Sequence, residues 1–579
     1  MGAFLTELQD LLAQTFGLDV EAYTSLTTVE DDECFVTKDG GLMSVLQLRG
    51  HLRVVGAEEL ALLTQQWVTL LGTTLGDGEA HLLDVIFTSD PARTASELER
   101  FLAPCARTAE RQGLDLHDLF AERVRRLPDH ACSESVYLVL WTTPAGLPRA
   151  LRWQARREQR REAARLNLPG LTRDHQNPWV RNRYLVDTHR SVMKTLLAAL
   201  TALGFALEIL PTTAACRAIR TEIDPEWTPR EWQPHLPGTC LPAPRERPDG
   251  ALDPGGCWFP AFGRQLIPRG LDVLDYRTLR VGDRWYQPFY VDVPQLTEVQ
   301  RFEKLLERTR QARLPWRLLV RLSGGAQAWL RARRLWAGLL RFASHQNKLI
   351  DAAVVALSRH LNEGNVGVRA QMALTTWVNT AEPLRSGHSH REELNARTAL
   401  LASHVQAWGT CAVRGSPGAP VTAWASTVPG LSLLHIATRY AAPLADVVKT
   451  LPVFRPASPW REGAAIYRDR TGKLFPFQPG SPLQGTWNEL YFARPGSGKS
   501  VAMNANNLAL ILSPGLVRLP YVRGIDIGPS SEGLVALVRD ALPPGRRFEA
   551  QFHVLQNRPD WAINPLDTQL GFRRPLPQD

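Results

Sequence analysis

A chain of 579 residues, with 67 Lys and Arg against 58 Asp and Glu and a net charge of +9, has room for about three or four domains with cores of their own. That excludes a peptide or an acidic solvating tail, while the mild excess of arginine permits contact with nucleic acid or anionic lipid without requiring either. Seven scattered cysteines (Cys34, Cys105, Cys132, Cys216, Cys240, Cys257 and Cys411), never spaced C-x-x-C, argue against a disulfide framework or a cysteine zinc site and fit a reducing cytosol.

The start, "MGAFLTELQDLLAQTF", lacks the basic and apolar blocks of a signal peptide and predicts a soluble amphipathic helix. Gly2 and Thr6 formally complete a myristoylation pattern, which is too short to carry weight. The longest apolar window, "LLAALTALGFALEIL" at 196–210, is too short to span a bilayer and contains Glu208.

Strands are predicted at "GLMSVLQLRG" (41–50), "LLDVIFTSD" (82–90) and "VYLVLWTTP" (136–144), each short, apolar and bounded by turn residues. Between the first two, Leu60, Leu63, Trp67 and Leu71 recur at helical spacing on one face. Further on, "LRWQARREQRREAARLN" (151–167) stacks Arg152, Arg156 and Arg160 in one row and Arg157, Arg161 and Arg165 in the next. It is either a phosphate or acidic-partner surface or, as the nearby Glu158 and Glu162 favour, a solvated and partly neutralised helix. No interleaved aromatic row supports base stacking there.

Between Asp224 and Pro260 frequent prolines rule out regular helix and interior strand, so this is a linker or surface loop, with Trp227, Trp232 and Trp258 as possible anchors. The α+β pattern then resumes. "TLRVGDRWYQPFYVDVP" reads as two strands around a Gly-Asp turn, and "WRLLVRLSG" and "VGVRAQMALTTWV" as further strands. Ala326 to Leu361 carries Trp329, Leu335, Trp336, Leu339, Leu340 and Phe342 on a core-facing stripe, and "REELNARTALLASHVQAWG" is a second helix. His388 and His390 stand close together without a carboxylate or cysteine cluster, so no metal is assigned to them.

One motif carries specific chemistry. Ala493, Arg494, Pro495, Gly496, Ser497, Gly498, Lys499 and Ser500 spell G-x-x-x-x-G-K-[ST] with alanine for its first glycine, the most dispensable of the set. A strand-like "WNELYF" (487–492) precedes the loop, and "SVAMNANNLALILS" opens as a helix after it. That context turns backbone N–H groups and a positive helix end toward a phosphate. Residues Ala493 through Val501 are therefore the expected ATP-binding segment, with Lys499 on the β and γ phosphates and Ser500 on Mg2+. Asp526, in the strand-like "YVRGIDIGPSSEG", is a second candidate for Mg2+, although Ile527 and Gly528 follow it where a Walker B strand has a second acid. No catalytic residue is assigned. After Asp526 a helix, "SEGLVALVRDAL", and a strand, "RFEAQFHVLQ", are predicted.

"ARPGSGKS", "RGIDIGPSSEGLVALV" and "WAINPLDTQLGFRRPLP" together resemble the large cytoplasmic ATPases of type IVB secretion and conjugation systems, the IcmB/DotO and TraU kind. The resemblance is most specific over about the last 100 residues, and weaker upstream at "GLMSVLQLRG" and "RVGDRWYQPFYVDVP". It implies a hexameric RecA-like motor at the cytoplasmic face of the inner membrane, docked on secretion or conjugation apparatus proteins through an N-terminal α+β region. Gly496, Gly498, Lys499 and Ser500 match the family's phosphate loop, and Asp526 its D-x-G-x-S strand. The family's Walker B acids, arginine finger and glutamine have no counterpart before Asp579.

The expected fold class is accordingly an α+β N-terminal region followed by the start of an α/β RecA-like P-loop NTPase domain with an incomplete parallel sheet. Its divisions are 1–223, a Pro-rich linker at 224–265, a second α+β region at 266–455, and 456–579. The chain is expected to be a truncated or split ATPase that turns over little ATP alone, a companion chain supplying the rest of the sheet. Two alternatives stay open: a non-enzymatic docking module with a vestigial loop, and an unrelated P-loop transferase or kinase.

Overall fold

The computed structural model describes residues 19–76, 78–166, 174–239, 259–293, 299–331, 345–383, 387–526 and 528–554. Expectations placed on residues 1–16, on Cys240, Cys257 and Trp258, on Leu335, Trp336, Leu339, Leu340 and Phe342, and on 561–577 lie outside them. The chain divides into two compact units: Met1–Arg93 with Ala131–Ala457 and Asp469–Lys473, and Thr94–His130 with Ser458–Arg468 and Leu474–Asp579.

The larger unit is built on one antiparallel sheet of thirteen strands. In chain order these are β1 (Leu26–Val29), β2 (Phe35–Thr37), β3 (Leu42–His51), β4 (His81–Asp90), β5 (Ser133–Thr142), β6 (Phe205–Ile209), β7 (Leu271–Val273), β8 (Leu279–Val281), β9 (Arg284–Val293), β10 (Trp316–Ser323), β11 (Gly367–Asn379), β12 (Ala412–Gly415) and β13 (Tyr440–Pro443). The main order is β1-β2-β3-β5-β4-β10-β11-β9-β8-β7. The two α+β regions read from the sequence thus share one sheet, joined where β4 pairs with β10 from Leu82↔Ser323 to Ser89↔Trp316. Local patterning marked each strand but could not show that strands some 230 residues apart bond to each other, because register lies in the partner and not in the strand.

Both faces of the sheet are covered, which is why these strands read as apolar runs and not as strict alternations. On one face Leu83, Val85, Phe87, Leu318, Val320 and Leu374 pack against Leu63, Trp67 and Leu71 of α1 (Ala57–Leu75). The opposite face holds Ile86, Leu319, Trp141 and Trp377 under the helices that carry Ile219 and Trp424. This second face is laced with buried charge. Arg317 donates from Nη2 to Glu222 Oε2 at 3.0 Å, Arg93 donates to Glu222 Oε1 at 2.8 Å, and Arg321 donates to both oxygens of Asp84 at 2.6 and 2.7 Å. Burial alone would raise the Glu222 carboxyl, but Arg93 and Arg317 outweigh it and hold it down at about 2.

The described part of the Pro-rich segment is pinned, as its tryptophans suggested. Trp232 packs against the second core under the Arg220 guanidinium, 4.6 Å from its ring centroid, and Leu236 is buried.

The smaller unit has a core made by α2 (Thr94–Gln112), α3 (His117–Arg126), a hairpin of β14 (Ala465–Arg468) and β15 (Leu474–Phe477), and two later helices, with Cys105, Ala109, Leu508, Leu512, Val538 and Leu542 at its centre. The parallel sheet expected here is not formed among the described residues. Residues 487–492 and 521–526 belong to no strand, and Pro544–Glu549 is a 3-10 helix where "RFEAQFHVLQ" predicted a strand. Strand-like composition needs a ladder partner to become a strand, and none of the described residues supplies one. Among the described residues no helix is long and apolar enough to cross a membrane.

Candidate phosphate-binding loop

The smaller unit carries the motif. Helix α4 (Lys499–Ile511) begins directly after the loop, with Gly498 as its cap in the left-handed region at φ 89°. Gly496 has φ 77°, so both glycines hold a backbone that a side chain would strain. Ala493, where the motif departs from its usual glycine, is not among the positive-φ residues, and so the substitution costs the backbone nothing. Between them the turn closes on itself: Ser497 donates from its backbone N at 3.2 Å and its Oγ at 2.7 Å to the Arg494 carbonyl.

The first intrahelical bond runs from Ala502 N to Gly498 O at 2.9 Å. A glycine cap brings no side-chain acceptor, and the first turn holds no acidic residue, so the N–H groups of Lys499, Ser500 and Val501 are left as donors at the positive end of the helix. Residues 492–499 are exposed, and Ser500 is half-buried. A Cβ built on Gly496 or Gly498 would meet nothing within 4 Å, so the loop borders open space. That arrangement fits an anion with the size and charge of a phosphate chain, and the Ser500 hydroxyl on the same turn could serve a cation held by that anion.

Asp526 sits on an exposed turn. Its Oδ2 accepts from Ser530 Oγ at 2.7 Å and Ser531 N at 2.9 Å, and its Oδ1 from Gly528 N at 3.1 Å. The Ser530 hydroxyl bond, with the backbone donors, holds this carboxyl down at about 2. It shapes the turn that leads into α5 (Glu532–Ala541) while keeping spare lone pairs. The turn is tied to the motif helix: Asn504 Nδ2, one helical turn beyond Ser500, donates to the Ser530 carbonyl at 2.7 Å. The expected site residues therefore fall on one loop and one helix end, with the Asp526 turn fastened to that same helix.

Sequence reading missed what holds the loop. Asn506 on α4 donates to Glu489 Oε2 at 3.2 Å and Tyr491 Oη at 2.5 Å, and accepts from Tyr467 Oη at 2.6 Å. These bonds anchor the segment entering the loop to the helix leaving it. Burial and the Glu489 carboxylate push the Tyr491 hydroxyl up to about 12, so it stays a donor. At the other end of α4, Gln112 Nε2 donates to the Ile511 carbonyl at 3.0 Å and Gln478 Nε2 to the Ala509 carbonyl at 2.9 Å, serving carbonyls that a helix C-terminus leaves open. The available signal was "NANN" (504–507), three asparagines inside an otherwise apolar helix, where asparagine is a poor helix former.

No family model matches the chain, and no curated protein matches it.

Proposed function

We propose that this chain is an ATP-binding component of a type IVB secretion or conjugation apparatus, of the IcmB/DotO and TraU kind, acting as a motor or assembly ATPase at the cytoplasmic face of the inner membrane. The observation that carries the reading is the Gly498-capped start of α4. Open N–H donors, the exposed Lys499 and the half-buried Ser500 stand on one helical turn that holds no acidic residue. Gly496, Ser497 and Gly498 would wrap the β phosphate, Lys499 would neutralise the β and γ oxygens, and Ser500 would offer its hydroxyl to Mg2+, with Asp526 on the tethered turn as the acidic candidate for the same ion. Bound Mg2+ would draw charge from the phosphate oxygens, while the chain's own part is to orient the triphosphate. RecA-like architecture and a homohexamer belong to this proposal through the resemblance.

Titrating the full chain with a fluorescent ATP analogue in Mg2+ tests it. Lys499→Ala should weaken binding about 10- to 100-fold, the worth of a charge-assisted contact, and Ser500→Ala should remove the Mg2+ dependence. Absence of binding by the unaltered chain, or equal binding by Lys499→Ala, would overturn the reading. A docking module of the same apparatus with a vestigial loop is favoured by one observation, the lack of a ladder at residues 487–492 and 521–526. It predicts capture of apparatus proteins with no response to nucleotide.

A further inference from the structure

The arginine-rich helix, here αR (Arg149–Leu166), carries seven arginines and two glutamates. At 100° per residue Arg149, Trp153, Arg156, Arg157, Arg160 and Arg161 fall within an arc of about 140°, and Ala155, Glu158, Gln159 and Glu162 lie on the opposite side. Over its first three turns the burial follows that division: Ala155 is buried, Glu158 and Gln159 are half-buried, and Trp153 is 64% exposed, whereas Glu162 near the other end is exposed. Gln159 pins the inner side by donating to the Val180 carbonyl at 2.7 Å.

The two acids do not neutralise the outer face. Glu158 is taken by Tyr184 Oη at 2.9 Å, Arg183 Nη2 at 3.1 Å and Gln154 at 3.2 Å, and the ion pairs among the described residues include none of Glu162 with a helix arginine. Among the described residues, the ion pairs include none from the helix arginines, whereas nearby Arg181, Arg183 and Arg190 pair with Glu30, Glu158 and Asp31. The Arg157 guanidinium lies over the Trp153 ring, 5.2 Å from its centroid. The helix is solvated, as its sequence favours, but its outer arginines close no ion pair among the described residues and surround one exposed aromatic.

We propose that this face docks on an anionic phospholipid surface. Charge complementarity calls for a polyanion, and the breadth of the face calls for a flat one. Guanidiniums flanking a central ring on both sides reach one plane only by extending along it, as interfacial arginines do. A tryptophan amid them sits at headgroup level. With a single apolar residue on the outer face, the helix adheres and does not insert, so its affinity depends on the anionic fraction of the membrane. A single nucleic-acid strand would need successive stacking rings, which this face lacks. The proposal is independent of the phosphate loop.

Co-flotation of the full chain with vesicles tests it. Vesicles of phosphatidylcholine containing about a quarter phosphatidylglycerol should carry the chain, and pure phosphatidylcholine should not. Reversing Arg156→Glu, Arg157→Glu, Arg160→Glu and Arg161→Glu together should weaken binding about 100-fold or more, and Trp153→Ala several-fold, with unchanged circular dichroism because all five side chains are exposed. Equal flotation with neutral vesicles, or retained binding by the reversed variant, would overturn the proposal. So would release from anionic vesicles by duplex DNA at a lower concentration than lipid phosphate, which would assign the face to nucleic acid.

Discussion

The two units use strand-forming sequence in opposite ways. In the larger one, every apolar run from β3 to β11 finds ladder partners and helices on both faces, and its buried charges close on each other. In the smaller one, residues 487–492 and 521–526 have similar composition but belong to no strand, and Trp487, Phe492, Tyr521 and Ile525 are 72%, 86%, 100% and 97% exposed. Hydrophobic content alone thus does not decide whether a segment becomes a strand; the neighbour does. The glycine-rich loop before α4 has no ladder at its entry, which is tied instead by side-chain hydrogen bonds from α4.

If the larger unit rests on closed buried charge, removing one member should be its most damaging single change. Glu222→Ala would remove the carboxylate that Arg93 and Arg317 share and the acceptor of the Thr88 and Ser135 hydroxyls. A loss of about 3–5 kcal/mol is expected in denaturant unfolding of this unit. Joint replacement by Glu222→Gln and Arg317→Met should recover much of it, since the cost comes from the unpaired charge. A loss under about 1 kcal/mol would mean the cluster is wetter than its burial indicates.

Legibility follows the same division. β3, β4, β5, β8, β9, β10 and β11 and the Ala57–Leu75 helix were readable because apolar periodicity and turn residues are local signals. That β4 pairs with β10, and that Arg317 and Arg321 are core residues bonded to Glu222 and Asp84, were not, since an arginine in a strand announces exposure until its partner is known. At the candidate site, Gly496, Gly498, Lys499 and Ser500 stood out because the motif is contiguous. Gln478 and Gln112 did not, because each acts on a segment distant in the chain, and Asn506 left only the asparagine cluster at 504–507, which names no partner.

A pH titration should separate the units next. His189, 1% exposed, bridges Ser44 Oγ at 2.9 Å and Thr142 Oγ1 at 2.7 Å, and Thr142 is in turn bonded to His81. Burial, then the neighbouring His81, lowers its pKa to about 4. With the folded value below the unfolded one near 6.5, the unfolded state binds the extra proton between them, so stability is full above about 6.5 and falls until about 4. The larger unit should lose about 3 kcal/mol over that window, and His189→Gln should flatten the slope. Glu222 acts with the same sign at lower pH, its contribution being present above its unfolded value and lost as pH falls toward about 2. A melting temperature independent of pH from 7 to 5 would show that His189 is not held neutral by the fold.

The smallest expected effect tests the other side of the comparison, that side-chain bonds and not a ladder hold the loop. Asn506→Ala deletes the donor to Glu489 and Tyr491 and the acceptor for Tyr467 while leaving a better helix former in α4. The lost bonds are worth about 1–3 kcal/mol locally, partly offset by about 0.5 kcal/mol of helix propensity, so overall unfolding should barely move. Amide exchange across residues 487–498 should instead quicken several-fold, with a matching loss of affinity for an ATP analogue if the loop binds one. The larger unit should exchange as before, because Asn506 bonds only within its own unit. Unchanged exchange in the loop would mean that its conformation is set by Gly496 and Gly498 alone, and that the asparagine cluster serves the helix and not the cradle.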